Sequence, residues 1–152
     1  MVLTIFLAVT ACQGHNLISK QIPAPSFRLH ALSGPPVPLE DLRGRRVLLY
    51  FFAPWCKVCD LSISNLNWVR KLRGEESVSI FAVALSYTDL LRVEDFLERN
   101  ALDVPVLLGT REILNAYRIR AFPTVYALNE SGNIDGSTVG YVTTLGLWWR
   151  TL

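Results

Sequence analysis

Histidine, cysteine and charge are all scarce in these 152 residues, and each shortage removes a class of function. Two histidines and three cysteines offer no second ligand pair for a four-ligand zinc site: Cys56 and Cys59 supply two ligands, while His15 and His30 stand at no ligand spacing from them. Charged residues make up only 18% of the chain and the net charge is +2, so neither an acidic nor a basic tail selects a partner. Arg43, Arg45 and Arg46 form the only dense basic group, which suits a turn before a strand better than a nucleic-acid footprint. Internal repeats and low-complexity tracts are also missing. What is abundant is hydrophobicity, at 51% of residues, which at this length builds one compact domain.

The odd cysteine, Cys12, follows an uncharged apolar segment of 11 residues, Met1 to Ala11. That is shorter than the roughly 20 residues a membrane-spanning helix needs, and it reads as the hydrophobic region of an export signal. Val9-Thr10-Ala11-Cys12 resembles a bacterial lipobox, which makes Cys12 a candidate for lipidation, although no Lys or Arg precedes the apolar part. Plain secretion, and an inert thiol in a membrane-anchor remnant, stand beside that reading. Residues 12–26, with Gly14, Pro23 and Pro25 among polar neighbours, read as a tether, and the domain is expected to span 27–152.

Within the domain the pattern alternates. Val47–Phe52 is a continuous apolar run of strand length, read as a buried central strand. Leu61, Leu66, Val69 and Leu72 recur at helical spacing up to a stop at Gly74. Val78–Leu85 is a second buried strand, Asp89–Asn100 a helix with Asp89 as N-cap, Val104–Leu108 a short strand and Glu112–Tyr117 a short helix. Thr124–Leu128 and Ile134–Val142 form a hairpin across the turn Asn129–Gly132. Thr143–Leu152 closes the chain as a short amphipathic helix whose Trp148 and Trp149 suit core packing or, less often, a membrane interface. The order predicts an α/β domain with a mixed sheet: parallel strands joined by helical crossovers, then an antiparallel hairpin.

Cys56 and Cys59 fall between the central strand and the first turn of the following helix. A structural disulfide across so short a loop would stabilise little, because the entropy it removes from the unfolded chain grows with loop length. Two thiolates could hold Cu(I) on grounds of softness. The position favours redox chemistry: backbone N–H groups and the positive end of the helix dipole stabilise a thiolate at Cys56, and Lys57 adds a positive charge. The expected arrangement is a partly exposed Cys56 that exchanges with substrate and a more buried Cys59 that resolves the mixed disulfide.

Phe52-Ala53-Pro54-Trp55-Cys56-Lys57-Val58-Cys59, with Ala121-Phe122-Pro123-Thr124-Val125 downstream, resembles the thioredoxin superfamily. Phe27–Leu29 and Pro38–Leu49 are similar to the N-terminal β-hairpin and lead-in of its exported, TlpA-like branch, and Gly140–Leu147 is similar to the ScsD-like (suppressor for copper sensitivity) subgroup. The resemblance implies a thioredoxin fold with an N-terminal β-hairpin extension. It also implies a cis Pro123 packed against the dithiol, and a substrate groove shaped by Trp55, Phe122 and Pro123. By residue pattern alone, Pro123 would be a trans proline opening an edge strand.

Two positions depart from the family. Tyr50 stands where thioredoxins carry a buried Asp, and Ser62 where many TlpA-like reductases carry a Glu, so proton handling falls to water, Lys57 or Asp60. The proline that kinks the first helix in this branch is absent, which predicts a straighter helix through Ile63 and Ser64. The expectation is an exported thiol–disulfide oxidoreductase, periplasmic or membrane-anchored, acting on protein thiols and disulfides. It would need no cofactor beyond the dithiol itself. A membrane protein would serve as electron donor or acceptor, with the reductase direction favoured. A disulfide-donating oxidant and a Cu(I)-binding or redox-sensing module are the alternatives.

Overall fold

The computed structural model describes residues 16–152, and the segment 1–11 and Cys12 lie outside the described residues. The central strand, β3 (Arg46–Phe52), is buried along its length from Val47 onward. Because side chains alternate across a strand, Leu48, Tyr50 and Phe52 enter one core and Val47, Leu49 and Phe51 the other. A strand apolar on both faces must be covered on both, which places it at the centre of the sheet.

Parallel to β3 lies β4 (Val78–Ala84), and parallel to that β5 (Val106–Leu108). On the other side, β6 (Thr124–Leu128) and β7 (Ile134–Val139) run antiparallel, giving the sheet order β5-β4-β3-β6-β7. The β6–β7 turn is held by Asn129, whose Oδ1 accepts from the N–H groups of Ser131 and Asn133 at 3.1 and 3.0 Å. At the N-terminal end, β1 (Arg28–Leu29) and β2 (Val37–Pro38) form the expected small hairpin, followed by a single 3-10 turn, Leu39–Leu42.

The helices are α1 (Lys57–Ser62), α2 (Asn65–Arg73), α3 (Leu90–Arg99), α4 (Arg111–Ala116) and α5 (Thr144–Arg150). Leu66, Val69, Val93, Phe96 and Leu147 bring α2, α3 and α5 onto one face of the sheet. Ile113 of α4 joins Phe27, Leu29 and Ile18 on the other. Asp89 caps α3, accepting from Arg92 N–H at 3.0 Å.

Three expectations are corrected. The helix after the cysteines is not straight: it breaks at Ile63–Ser64, where the N–H groups of Leu66 and Asn67 bond three residues back, to Ile63 and Ser64. Ser62 supplies a cause without proline, since its hydroxyl donates to the Val58 carbonyl four residues earlier, an attachment that bends helices. Leu61 and Leu72, expected on the buried face, are exposed, and the buried stripe runs through Cys59, Ser62, Ile63, Leu66 and Val69. Finally, residues 18–26 of the stretch read as tether are docked. Ile18 and Phe27 are buried, Gln21 and Ala24 donate to Ile134 and Gly132, and Ile22 accepts from Ile134 at 2.9 Å.

Candidate active site

The site lies at the rim of the sheet where β3 ends and β6 begins. Phe52 ends β3, Ala53 and Pro54 turn the chain, and Cys56 becomes the N-cap of α1 in an extended conformation. Cys56 and Cys59 are joined as a disulfide with Cα atoms 5.2 Å apart. The Cys59 N–H donates to Cys56 Sγ at 3.1 Å, so the first sulfur occupies the place a capping side chain takes at a helix start. Cys56 keeps 6% of its surface and Cys59 none. The asymmetry has the expected sense, but Cys56 is more covered than a partly exposed residue, because Pro54 and Ala53 are buried around it.

The rim beside the disulfide is aromatic. Trp55 is 65% exposed, yet fixed: its Nε1–H donates to the Ser86 carbonyl at 2.9 Å, and its ring meets that of Phe122 edge-on at 5.7 Å. The Phe122–Pro123 peptide bond is cis, Pro123 is buried, and its carbonyl accepts from Gly140 N–H at 2.8 Å. Two clefts, of about 660 and 300 Å³, meet at Tyr87 beside Trp55. Ser86 and Tyr87 belong to the rim and were not singled out from the sequence; their position directly after a buried parallel strand was the available signal.

Beneath the disulfide the site is closed and neutral. Tyr50, fully buried on β3, lies 2.7 Å from Ser62 Oγ. Ser62 spends its own proton on the Val58 carbonyl at 3.1 Å, so the phenol donates to Ser62. Burial drives the Tyr50 pKa far above its ordinary value; the Ser62 hydrogen bond pulls it down and nearby Tyr141 raises it further. The two departures noted in the sequence are therefore partners, joined across strand and helix.

Lys57 is exposed in the first turn of α1. Asp60 is engaged elsewhere: it accepts from Arg99 Nε at 3.2 Å and Asn100 Nδ2 at 2.8 Å, tying α1 to α3, while Arg99 also reaches the Pro54 carbonyl at 3.3 Å. Among the described residues no group of three or more His, Cys, Asp or Glu side chains is placed to hold a metal ion.

A Cys-x-x-Cys pair capping the helix after the central strand of this sheet, beside a buried proline loop, defines a thiol–disulfide oxidoreductase of thioredoxin fold. The AhpC/TSA family matches residues 21–137, and the chain belongs to it. It is 34% identical over 124 residues to the thioredoxin-like protein YneN of Bacillus subtilis, covering 79% of this chain and 71% of YneN. Identity to the thiol-disulfide oxidoreductase ResA of the same organism is 31% over 141 residues, covering 92% of this chain and 77% of ResA. StoA of Bacillus subtilis superposes with a TM-score of 0.75 at 26% identity, covering 85% of this chain and 98% of StoA.

Proposed function

We propose that this protein reduces disulfides of other proteins in the cell envelope. In the reduced form, the Cys56 thiolate attacks a substrate disulfide, forming a mixed disulfide and releasing one substrate thiolate. Cys59, having lost its proton, then attacks Cys56 Sγ, releases the second substrate thiolate and leaves the Cys56–Cys59 disulfide described above. Two electrons pass to the substrate, whose two sulfurs take up protons. A membrane dithiol protein returns the electrons by the reverse exchange. The dithiol is the whole redox centre, and no dissociable cofactor enters.

The observation that carries the reading is the difference in burial between the two cysteines, since of the pair Cys56 alone keeps any surface. Trp55, Phe122 and Pro123 form the wall against which an extended substrate segment lies. Lys57 favours the Cys56 thiolate through its charge. With the buried phenol already donating and Asp60 held by α3, the Cys59 proton falls to Lys57 or to water admitted when substrate opens the site.

The surroundings of Cys56 support the reductase direction. A strongly oxidising pair needs a heavily stabilised reduced form, whereas the hydrogen bonds at Cys56 Sγ come to a single backbone donor and the cation at hand, Lys57, is exposed. The TlpA-like resemblance and the ScsD-like ending support the same placement. Export, with or without lipidation at Cys12, belongs to this proposal; no described helix is long and apolar enough to cross a membrane. Equilibration of the Cys56–Cys59 pair with glutathione tests it. A potential near the roughly −270 mV of thioredoxin supports a reductase, and one near the roughly −120 mV of DsbA makes the protein a disulfide donor instead.

A further inference from the structure

Away from the disulfide, α2 and α5 lie side by side and point the same way. Asn65 at the start of α2 donates to the Val142 carbonyl at 2.8 Å and accepts from Thr144 Oγ1 at 3.1 Å, while Arg73 at its end donates to the Thr151 carbonyl at 2.8 Å. The pair is therefore pinned at both ends. Its inner residues, Leu66, Val69 and Leu147, enter the core. Its outer residues are large and apolar: Trp68, Leu72, Leu145, Trp149 and Leu152 are all exposed, Leu145 and Trp149 by about 70%.

The two helices of this face carry cations only. Neither α2 (Asn-Leu-Asn-Trp-Val-Arg-Lys-Leu-Arg) nor α5 (Thr-Leu-Gly-Leu-Trp-Trp-Arg) contains Asp or Glu. Of the acids nearby, Glu75 after α2 and Asp103 in the loop before β5 are both engaged by Arg70, and Glu76 is exposed. Lys71 lies over the Trp68 ring, 5.3 Å from its centroid. At the end of α5, Trp149, Arg150 and Leu152 share a cleft of about 330 Å³ with Lys20, and the acid in that cleft, Asp135, is paired with Arg46 at 2.9 Å.

We propose that the α2–α5 face seats on an anionic lipid surface, its exposed Trp and Leu side chains entering the headgroup region and Lys71, Arg150 and Lys20 meeting lipid phosphates. Tryptophan and leucine flanked by cations is the composition of interfacial helices, and each lysine or arginine near such a surface adds attraction. A second copy of the chain fits this face poorly, because a twofold contact would set its cations against themselves.

The test uses the full chain with vesicles of phosphatidylcholine, alone or mixed with phosphatidylglycerol, carrying brominated acyl chains that quench nearby tryptophan. Strong quenching on the anionic vesicles is expected. Most of it should vanish in W68F/W149F, which keeps Trp55 and Trp148 as internal controls. K71E/R150E should lower partitioning to anionic vesicles by at least about tenfold. The proposal is overturned by undiminished quenching in W68F/W149F, which would place the bilayer contact elsewhere, or by equal partitioning with and without phosphatidylglycerol. Absence of quenching in the wild type would also overturn it and hand the face to a protein partner.

Discussion

The two sides of the disulfide are built from opposite materials. Below it, Tyr50 and Ser62 are fully buried, satisfied by each other and by the Val58 carbonyl, and neutral. Above it, Trp55 is mostly exposed and held by one hydrogen bond to a loop carbonyl and one edge-on ring contact. The underside fixes where the sulfurs sit and leaves no ionisable carboxyl among the partners of Tyr50 and Ser62. The rim meets whatever arrives. On the proposed function, stability and recognition fall to different residues within a few positions of each other in sequence, and experiment is expected to separate them.

The sulfurs give the largest effect. Cys56→Ser is expected to reduce disulfide-reductase turnover by at least about a thousandfold, while Cys59→Ser traps substrates as mixed disulfides on Cys56, read by non-reducing electrophoresis. Trapping by Cys59→Ser but also by Cys56→Ser would erase the division of labour between the two cysteines. Next in size is the underside against the rim. Tyr50→Ala removes a large buried ring and is expected to cost about 3–5 kcal/mol, seen as a fall in melting temperature of roughly 10 °C or more. Trp55→Ala should cost no more than about 1 kcal/mol of stability and instead raise KM about five- to tenfold, because its surface already faces water.

The smallest effect is a pH dependence that belongs to the buried side alone. Tyr50, Tyr117 and Tyr126 all have pKa values raised by burial. In the unfolded chain these phenols ionise near pH 10. Above that pH the unfolded state sheds protons that the folded state keeps, so stability is complete below pH 10 and falls as pH rises toward the folded values. Denaturant titrations at increasing alkaline pH should show this decline, less steep in Tyr50→Phe. Trp55→Phe should leave the slope unchanged.

Much of the frame was legible in the sequence because it rests on side-chain periodicity. The apolar run at β3 and the short run at Thr124–Leu128 are strands as expected, and Cys56 and Cys59 fall at the helix start that their position after β3 implied. The misreadings share one physical origin: hydrogen bonding leaves no mark in an apolar pattern. The stripe of α1 and α2 is carried partly by Cys59 and Ser62, which a count of aliphatic residues passes over in favour of the exposed Leu61 and Leu72. Residues 18–26 looked like a tether because their side chains are mixed, yet their backbone groups find partners in the β6–β7 turn. Tyr50 and Ser62 were noticed separately as missing acids, and only the fold shows that they bond to each other.

The N-terminal stretch also sets the order in which this protein can be completed. Leu32 donates to Val106 and Leu108 donates to His30, so residues 30–32 cover the outer edge of β5, just as residues 21–24 bond to the chain at Gly132–Ile134 beside β7. Segments made early on the ribosome therefore wait for partners made some 75 to 110 positions later, judged from the pairs Ala31–Leu107 and Pro23–Asn133. Both flanks of the sheet stay open until the last third of the chain is available; the β5 edge then closes against residues 30–32, and the β7 edge is met at Ile134. A chain that stops short of Val106 can accordingly close neither flank.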